Sequence, residues 1–387
     1  MKIQFLNTAK KFAAGQEILT EFEQQPPAFA TLPNEQATHI SAIETFARAN
    51  RTWRHIIIIG IGGSSLPART LIDALGNSKR EFYFLENVDP AAANQILANI
   101  NWKKTLVLVI SKSGNTLETI ANFFVVKKYL GKSWQQQTVF LTNAEKGFLH
   151  KFADQENVQI FAIPAEIGGR FSIFSPVGLL PAALAGIDLQ KLLSGTKKAD
   201  AKQAFQFAKI QAAEFRRGKN ISVFCVYRDN LKSLTQWYEQ LLAESIGKNS
   251  KIGITPSPAV GAIDQHSKLQ LWRDGPADKF YIFVGTQNFG TDLKITNPEK
   301  EFSFLKNKTF AEVLRAEFLA TTKSLAEKKR PLAIFDFAKI GPAELGEFLQ
   351  FWMLEVYFLA KILNVNFANQ PGVERGKVLA RKRLGGN

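Results

Sequence analysis

"TLVLVISKSGNTLET" at residues 105–119 decides how this chain folds and raises the question of what it holds. The apolar run reads as a buried strand, yet it empties into six residues that are nearly all hydroxyl, amide, glycine or ammonium. An amphipathic run, "TLETIANFFVVKKYLG" (116–131), follows at once. Strand, polar loop and helix in that order form half of a βαβ unit, and the loop lies at the strand's carboxyl end. A surface turn and a socket built for an anion both fit the loop.

The same grammar extends outward on both sides. "HIIIIGIG" (55–62), "EFYFLE" (81–86), "QTVFLT" (137–142) and "VQIFAIP" (158–164) read as further buried strands with helical patterns between them. Residues 51–165 therefore form one doubly wound parallel-sheet domain, preceded by a helical arm over 1–50. A second set, "ISVFCVY" (221–227), "KFYIFVG" (279–285) and "RPLAIFDF" (330–337), alternates with helical stretches at 231–247, 310–327 and 342–363. That places a second doubly wound domain at 218–340, a connecting helical segment at 166–217 and C-terminal helices at 341–387. The expected fold class is α/β, with ligand sites beyond the carboxyl ends of strands.

Composition narrows the function. The chain has 387 residues, 45% hydrophobic and 21% charged, as expected of a globular protein with a large core. Its one cysteine, Cys225, sits inside "ISVFCVY", which excludes an intramolecular disulfide and suggests a buried thiol in a reducing compartment. The basic start "MKIQFLNTAKKFAAG" lacks an apolar secretory core, and the apolar stretch "SPVGLLPAALAGI" (175–187) is too short for a bilayer. These features point to the cytoplasm and away from a membrane partner. The net charge of +15 is scattered, with one dense run at "ARKRLGGN". That argues against nucleic acid and for a general surface property that also steers small anions.

Several stretches could carry chemistry. "GIGGSS" (60–65) resembles a dinucleotide fingerprint, but Ser65 stands where the third glycine belongs. With Glu86 ending the next strand, a nicotinamide cofactor stays a distant option; Gly62, Gly63 and Ser64 at least allow close approach of a ligand. In "SKSGNT", Ser111, Ser113 and Thr116 offer three hydroxyls, and a following helix start would complete an anion site. Against that, Asn115 with Glu118 reads as an N-cap and capping box that needs no ligand. Arg170 in "GGRFS" is either a buried structural cation or a ligand clamp.

The helix "QWYEQLLAESIGK" (236–248) places Gln240 and Glu244 four residues apart on one face. Glu244 falls in its last turn, where the negative dipole end disfavours a carboxylate. A general base and a solvated Glu paired with Lys248 are both open. The four histidines, His39, His55, His150 and His266, show no metal spacing. His266, in "GAIDQHSKLQLW", has a polar loop-to-helix setting; Lys377 lies in a basic helix after "NQPGVERGK". No G-x-S-x-G occurs to support a serine hydrolase.

Taken together, "IGIGGSSL", "SKSGNTLET", "GGRFSIFSPVGL", "QLLAESIGK", "DQHSKLQLW" and "NQPGVERGK" resemble, in order, the glucose-6-phosphate isomerase family of the sugar-isomerase (SIS) superfamily. The resemblance implies two flavodoxin-like SIS domains and reversible isomerisation of D-glucose 6-phosphate and D-fructose 6-phosphate through ring opening and a cis-enediol. Ser111, Ser113 and Thr116 would hold the phosphate with Lys112 and Gln240; Gly63, Ser64 and Gln370 would contact the substrate. His266 and Lys377 would open the ring, Glu118 would orient His266, Glu244 would move the proton between C1 and C2, and Arg170 would stabilise the enediolate. No metal or organic cofactor is implied. A homodimer with shared active sites is, the histidine coming from the neighbouring subunit. The chain is shorter than typical members, Asn369 replaces a common aspartate, and Ile246 occupies a variable position. Two alternatives remain: a dual phosphoglucose/phosphomannose isomerase, and a non-catalytic sugar-phosphate sensor. The sensor would have no use for Glu244, Arg170 and Lys377, and no helix-turn-helix is evident in residues 1–50.

Overall fold

A computed structural model describes residues 2–9 and 15–385; the side chains of residues 38 and 39, including that of His39, fall outside it. Among the described residues, ten strands form two five-stranded sheets. In chain order they are β1 (Ile3–Leu6), β2 (His55–Ile59), β3 (Glu81–Leu85), β4 (Thr105–Ser111), β5 (Thr138–Thr142), β6 (Gln159–Ala162), β7 (Ile221–Val226), β8 (Thr255–Val260), β9 (Lys279–Asn288) and β10 (Leu332–Lys339). The first sheet runs β3-β2-β4-β5-β6 and is parallel throughout. The second runs β1-β10-β9-β7-β8 and is parallel except for β1, which pairs antiparallel with β10.

Every residue of β2 and β4 is buried, as unbroken apolar runs in central parallel strands require. Their two faces are covered differently. Ile56 and Ile58 of β2, with Leu106, Leu108 and Ile110 of β4, enter a core shared with Phe224 and Val226 of β7 and Ile282 of β9. Ile57, Ile59, Val107 and Val109 face outward onto Phe123 and Val126 of the Leu117–Leu130 helix. Val223, Cys225 and Phe283 do the same for the second sheet, under Phe318 and Leu325. Period-two alternation thus distributes each strand between a central core and an outer layer. The Pro342–Ile362 helix, apolar nearly all round, is buried in the central core. Cys225 is buried, and burial pushes its thiol pKa up, as the sequence suggested for an unreactive thiol.

Two strands escape the sequence pattern. The arm expected to be helical opens with β1 before its helices Glu17–Gln24 and Ala28–Ala49. Four residues are too few to show a period. β8, "TPSPAV", carries Pro256 and Pro258, which argue against a central strand. It is one of the sheet's two edge strands, and the N–H groups of Thr255 and of Gly261, just past its end, donate toward the β7 side. The prolines fall on the alternate positions, where no ladder donor is needed.

In the middle of the Pro342–Ile362 helix, Glu355 is fully buried and neither carboxyl oxygen has a hydrogen-bond partner among the described residues. Burial holds its carboxyl well above the ordinary range. The folded protein therefore keeps a proton that the unfolded chain releases at about pH 4.3. The stability linked to that proton is fully present below the unfolded value and is lost as pH rises through the folded one. Glu355→Gln should leave thermal stability near wild type at pH 4 and raise it at pH 8, by about 1–3 kcal/mol. A gain independent of pH, or a loss at pH 8, would contradict this reading.

Candidate active site

The order of the first sheet reverses between β2 and β4, and the loops leaving those two strands flank the resulting crevice. They are the GIGGSS and SKSGNT loops. After β4, Gly114 turns at φ +67°, a left-handed conformation that favours glycine. The turn gathers the hydroxyls: Ser111 Oγ lies 2.9 Å from Thr116 Oγ1 and 3.5 Å from Ser113 Oγ. Thr116 is the N-cap of the Leu117–Leu130 helix, but its side chain makes no capping bond. Asn115 does not cap the helix either, because its Oδ1 accepts from Phe148 N–H at 2.9 Å. The capping reading of Asn115 and Glu118 is thereby corrected, and the helix presents first-turn N–H groups beside three hydroxyls. Lys112 is half-buried in the same turn; burial lowers its pKa, opposed by the charge of Glu166.

The loop after β2 forms a short turn, Gly62–Ser64, pressed against a second glycine pair. A Cβ on Gly63 would lie 2.4 Å from the carbonyl carbon of Gly169, closer than any real contact. Ser172 Oγ donates to Gly63 O at 3.0 Å and fixes the approach. This packing delivers Arg170, only 2% exposed, to the carboxyl end of the Lys232–Ile246 helix.

Arg170 satisfies its guanidinium from two chain segments. Nε donates to Ser245 Oγ at 2.9 Å, and Nη1 donates to Glu244 Oε2 and Gln370 Oε1, each at 2.9 Å. Nη2 donates to the main-chain carbonyls of Phe367 and Asn369. Burial pushes the Arg170 pKa down, and the Glu244 carboxylate opposes that shift. The other oxygen of Glu244 accepts from Gln240 Nε2 at 3.0 Å. Gln240 Oε1 is buried without a hydrogen-bond partner among the described residues. The Glu244 side chain stays 29% exposed, so a carboxylate braced on two sides keeps an open face. Glu244 is therefore not a solvated partner of Lys248.

Gly63, Arg170, Gln240, Glu244 and Gln370 thus form one connected group, with Ser64 in the adjoining turn. Ser111, Lys112, Ser113 and Thr116 form another; Gln240, expected to assist at the phosphate, hydrogen-bonds Glu244. Three expected residues stand apart. His266 is exposed on the Gln265–Asp274 helix and has no side-chain hydrogen bond or ion pair among the described residues. Glu118 is partly buried without a partner there. Lys377 is exposed on the Glu374–Arg383 helix and pairs with Glu374. That helix reaches the hydroxyl loop through Arg381 Nη2, 3.0 Å from Asn115 O. Asn369 contributes its main-chain carbonyl, which an aspartate would supply equally well. Ser172, Ser245 and the Phe367 carbonyl were invisible to sequence reasoning; a buried serine beside a glutamate carries no pattern of its own. Glu86, the candidate ribose ligand, is paired with Arg69. Among the described residues, no three acidic, histidine or cysteine side chains gather as a metal ion requires.

A family model described as phosphoglucose isomerase matches residues 34–264. A protein of Thermus thermophilus named glucose-6-phosphate isomerase is 37% identical over 371 residues, covering 92% of this chain and 89% of its own. A crystal structure of a hypothetical protein from the same species superposes with a TM-score of 0.89 at 36% identity, covering 96% of this chain and 94% of that one. The crystal structure of a glucose-6-phosphate isomerase from Chlamydia trachomatis gives a TM-score of 0.78 at 25% identity, over 91% of this chain and 73% of that one.

The contact between the two glycine pairs is asymmetric. A Cβ on Gly169 would meet the Cα of Gly63 at 3.7 Å, an ordinary separation. Gly63→Ala should cost about 1–3 kcal/mol of stability and lower activity, whereas Gly169→Ala should leave both near wild type. Denaturant unfolding of the two variants checks this; equal behaviour would contradict the assigned packing.

Proposed function

The chain belongs to the phosphoglucose isomerase family, and on that premise we propose that it interconverts D-glucose 6-phosphate and D-fructose 6-phosphate through ring opening and a cis-enediol. The observation that carries the reading is the Glu244 carboxylate, braced by Arg170 and Gln240 and open on its remaining side. An aldose–ketose interconversion needs one base that reaches two adjacent carbons and a cation at the oxygen that develops negative charge. Glu244 takes the proton from one carbon and returns it to the other. Arg170 counters both the carboxylate at a helix C-terminus and the enediolate charge.

The phosphate belongs in the hydroxyl loop. Ser111, Ser113 and Thr116 converge beside helix N–H groups that no side chain caps, and Lys112 adds a charge at the rim. With the phosphate fixed there, the sugar extends past Gly63 and Ser64 toward Glu244 and Gln370. Anchoring the unreactive end supplies the orientation the proton transfer needs.

Ring opening falls to His266 and Lys377, with Glu118 orienting the imidazole. Their separation from the Arg170–Glu244 group in one chain fits a homodimer in which His266 serves the partner's site. Ile263, Leu293, Phe302, Phe304 and Phe310 are exposed, and Ile263, Leu293 and Phe310 line a crevice near the His266 helix, apolar surface of the kind a second subunit covers. Action on sugar phosphates supports a cytoplasmic location. Among the described residues no helix is long and apolar enough to cross a membrane. The sensor alternative leaves the braced carboxylate without a purpose, and nothing in the site favours a mannose 6-phosphate preference.

A coupled assay with fructose 6-phosphate tests the proposal. Glu244→Gln keeps the hydrogen bond to Arg170 in shape but removes the base, and should lower kcat at least about 100-fold with the fold intact. Full activity in that variant would overturn the assignment.

A further inference from the structure

We propose that Lys248 is a positioning residue for the proton transfer: it clamps the segment carrying Gln370 against the helix end carrying Glu244. The inference rests on the isomerase reading above. In sequence Lys248 lies four residues after Glu244, the spacing of a helical ion pair. The helix, however, ends at Ile246, and Gly247 turns the chain out of it. Lys248 consequently leaves the helical ladder. Its main-chain N–H donates to Ile252 O at 3.4 Å rather than back to Glu244 O.

That departure leaves the carbonyl of Glu244 as one of the orphan acceptors at a helix C-terminus. The Lys248 ammonium takes it: Nζ donates to Glu244 O and, at the same time, to Asn369 O. No carboxylate pairs with Lys248 among the described residues, so the ammonium is committed to these two carbonyls. Burial lowers its pKa, and the positive charge of Arg170 lowers it further. Asn369 O is thus shared by two cations, Lys248 and Arg170, while Arg170 also holds Phe367 O and the Gln370 side chain.

The consequence is geometric. Residues 367–370 make their hydrogen bonds to the site through main-chain carbonyls and one amide, and one of their two cationic anchors is Lys248. The same ammonium fixes the main chain of Glu244 itself. Base and strap are therefore registered to each other by one side chain that does not touch the reacting atoms. Without it the strap keeps the packing of the Phe367 ring at one end, but its cationic anchoring falls to Arg170 alone, which must also neutralise Glu244. The phosphate loop, built on β4, is left unaffected. Loss of Lys248 should then appear in turnover and not in substrate capture, because misplacement by about 1 Å costs on the order of 100-fold in rate.

The test compares the full-length wild type, K248M and K248R with fructose 6-phosphate, together with thermal unfolding of each. K248M should lose about 10- to 100-fold in kcat with KM near wild type. K248R, which retains charge and donors, should recover most of that loss. Should K248M fail to fold, K248Q, which keeps donors without the charge, replaces it and should fall between the wild type and full loss. Wild-type kcat in K248M would overturn the proposal. So would a loss that K248R does not repair, accompanied by an equal fall in melting temperature in both variants. An inactive wild type would instead overturn the isomerase reading on which the inference stands.

Discussion

A buried guanidinium is the constraint on which the site depends. Arg170 has almost no solvent to satisfy it, and an unpaired charge there would be costly to fold. Its donors draw in Glu244 and Ser245 from one helix, and Phe367, Asn369 and Gln370 from the chain after another. Those segments lie far apart in sequence, and Lys248 is the second side chain that ties them together. Arg170 reaches them because Gly63 allows the Gly169 backbone to approach without a side chain between.

The remaining architecture divides the work. Parallel strands end at a point where the strand order reverses, and the loops there expose main-chain and hydroxyl donors suited to an anion. In the proposed reaction, helix ends and buried side chains supply the reactive carboxylate and its countercharge. One end of the substrate would be held by groups that make no chemical demand, the other by groups whose placement must be accurate. The glycine contact and the Ser172 hydrogen bond join the two halves.

Most of the fold was legible from apolar runs, since β2, β4, β5 and β7 are buried on both faces and punctuated by polar loops. β1 was too short to carry a period, and β8 hid behind prolines that an outermost strand tolerates. At the site, residue type and spacing singled out the hydroxyls and Glu244 as candidates but left their reading open, and the family resemblance gave them roles. Asn115 was misread because its amide caps a different helix, Phe148–Glu156, through the N–H of Phe148. The Glu244–Lys248 pair, left open on i, i+4 spacing, does not form as a helical pair because Gly247 takes Lys248 out of the helix. His266, Glu118 and Lys377 could not be joined to the rest by spacing, and one chain alone does not join them either. Side-chain partners that depend on tertiary placement, such as Ser245 to Arg170, leave no trace in local pattern.

The claim that Glu244 itself carries the proton between the two carbons is tested most directly by isotope exchange. Fructose 6-phosphate incubated with the enzyme in D2O and followed by proton NMR should gain deuterium at C1, because a carboxyl group exchanges its proton with solvent while the enediol is held. The Glu244→Gln variant should bind the sugar phosphate and show no such incorporation above the enzyme-free control. Deuterium appearing at the wild-type rate in that variant would contradict the account.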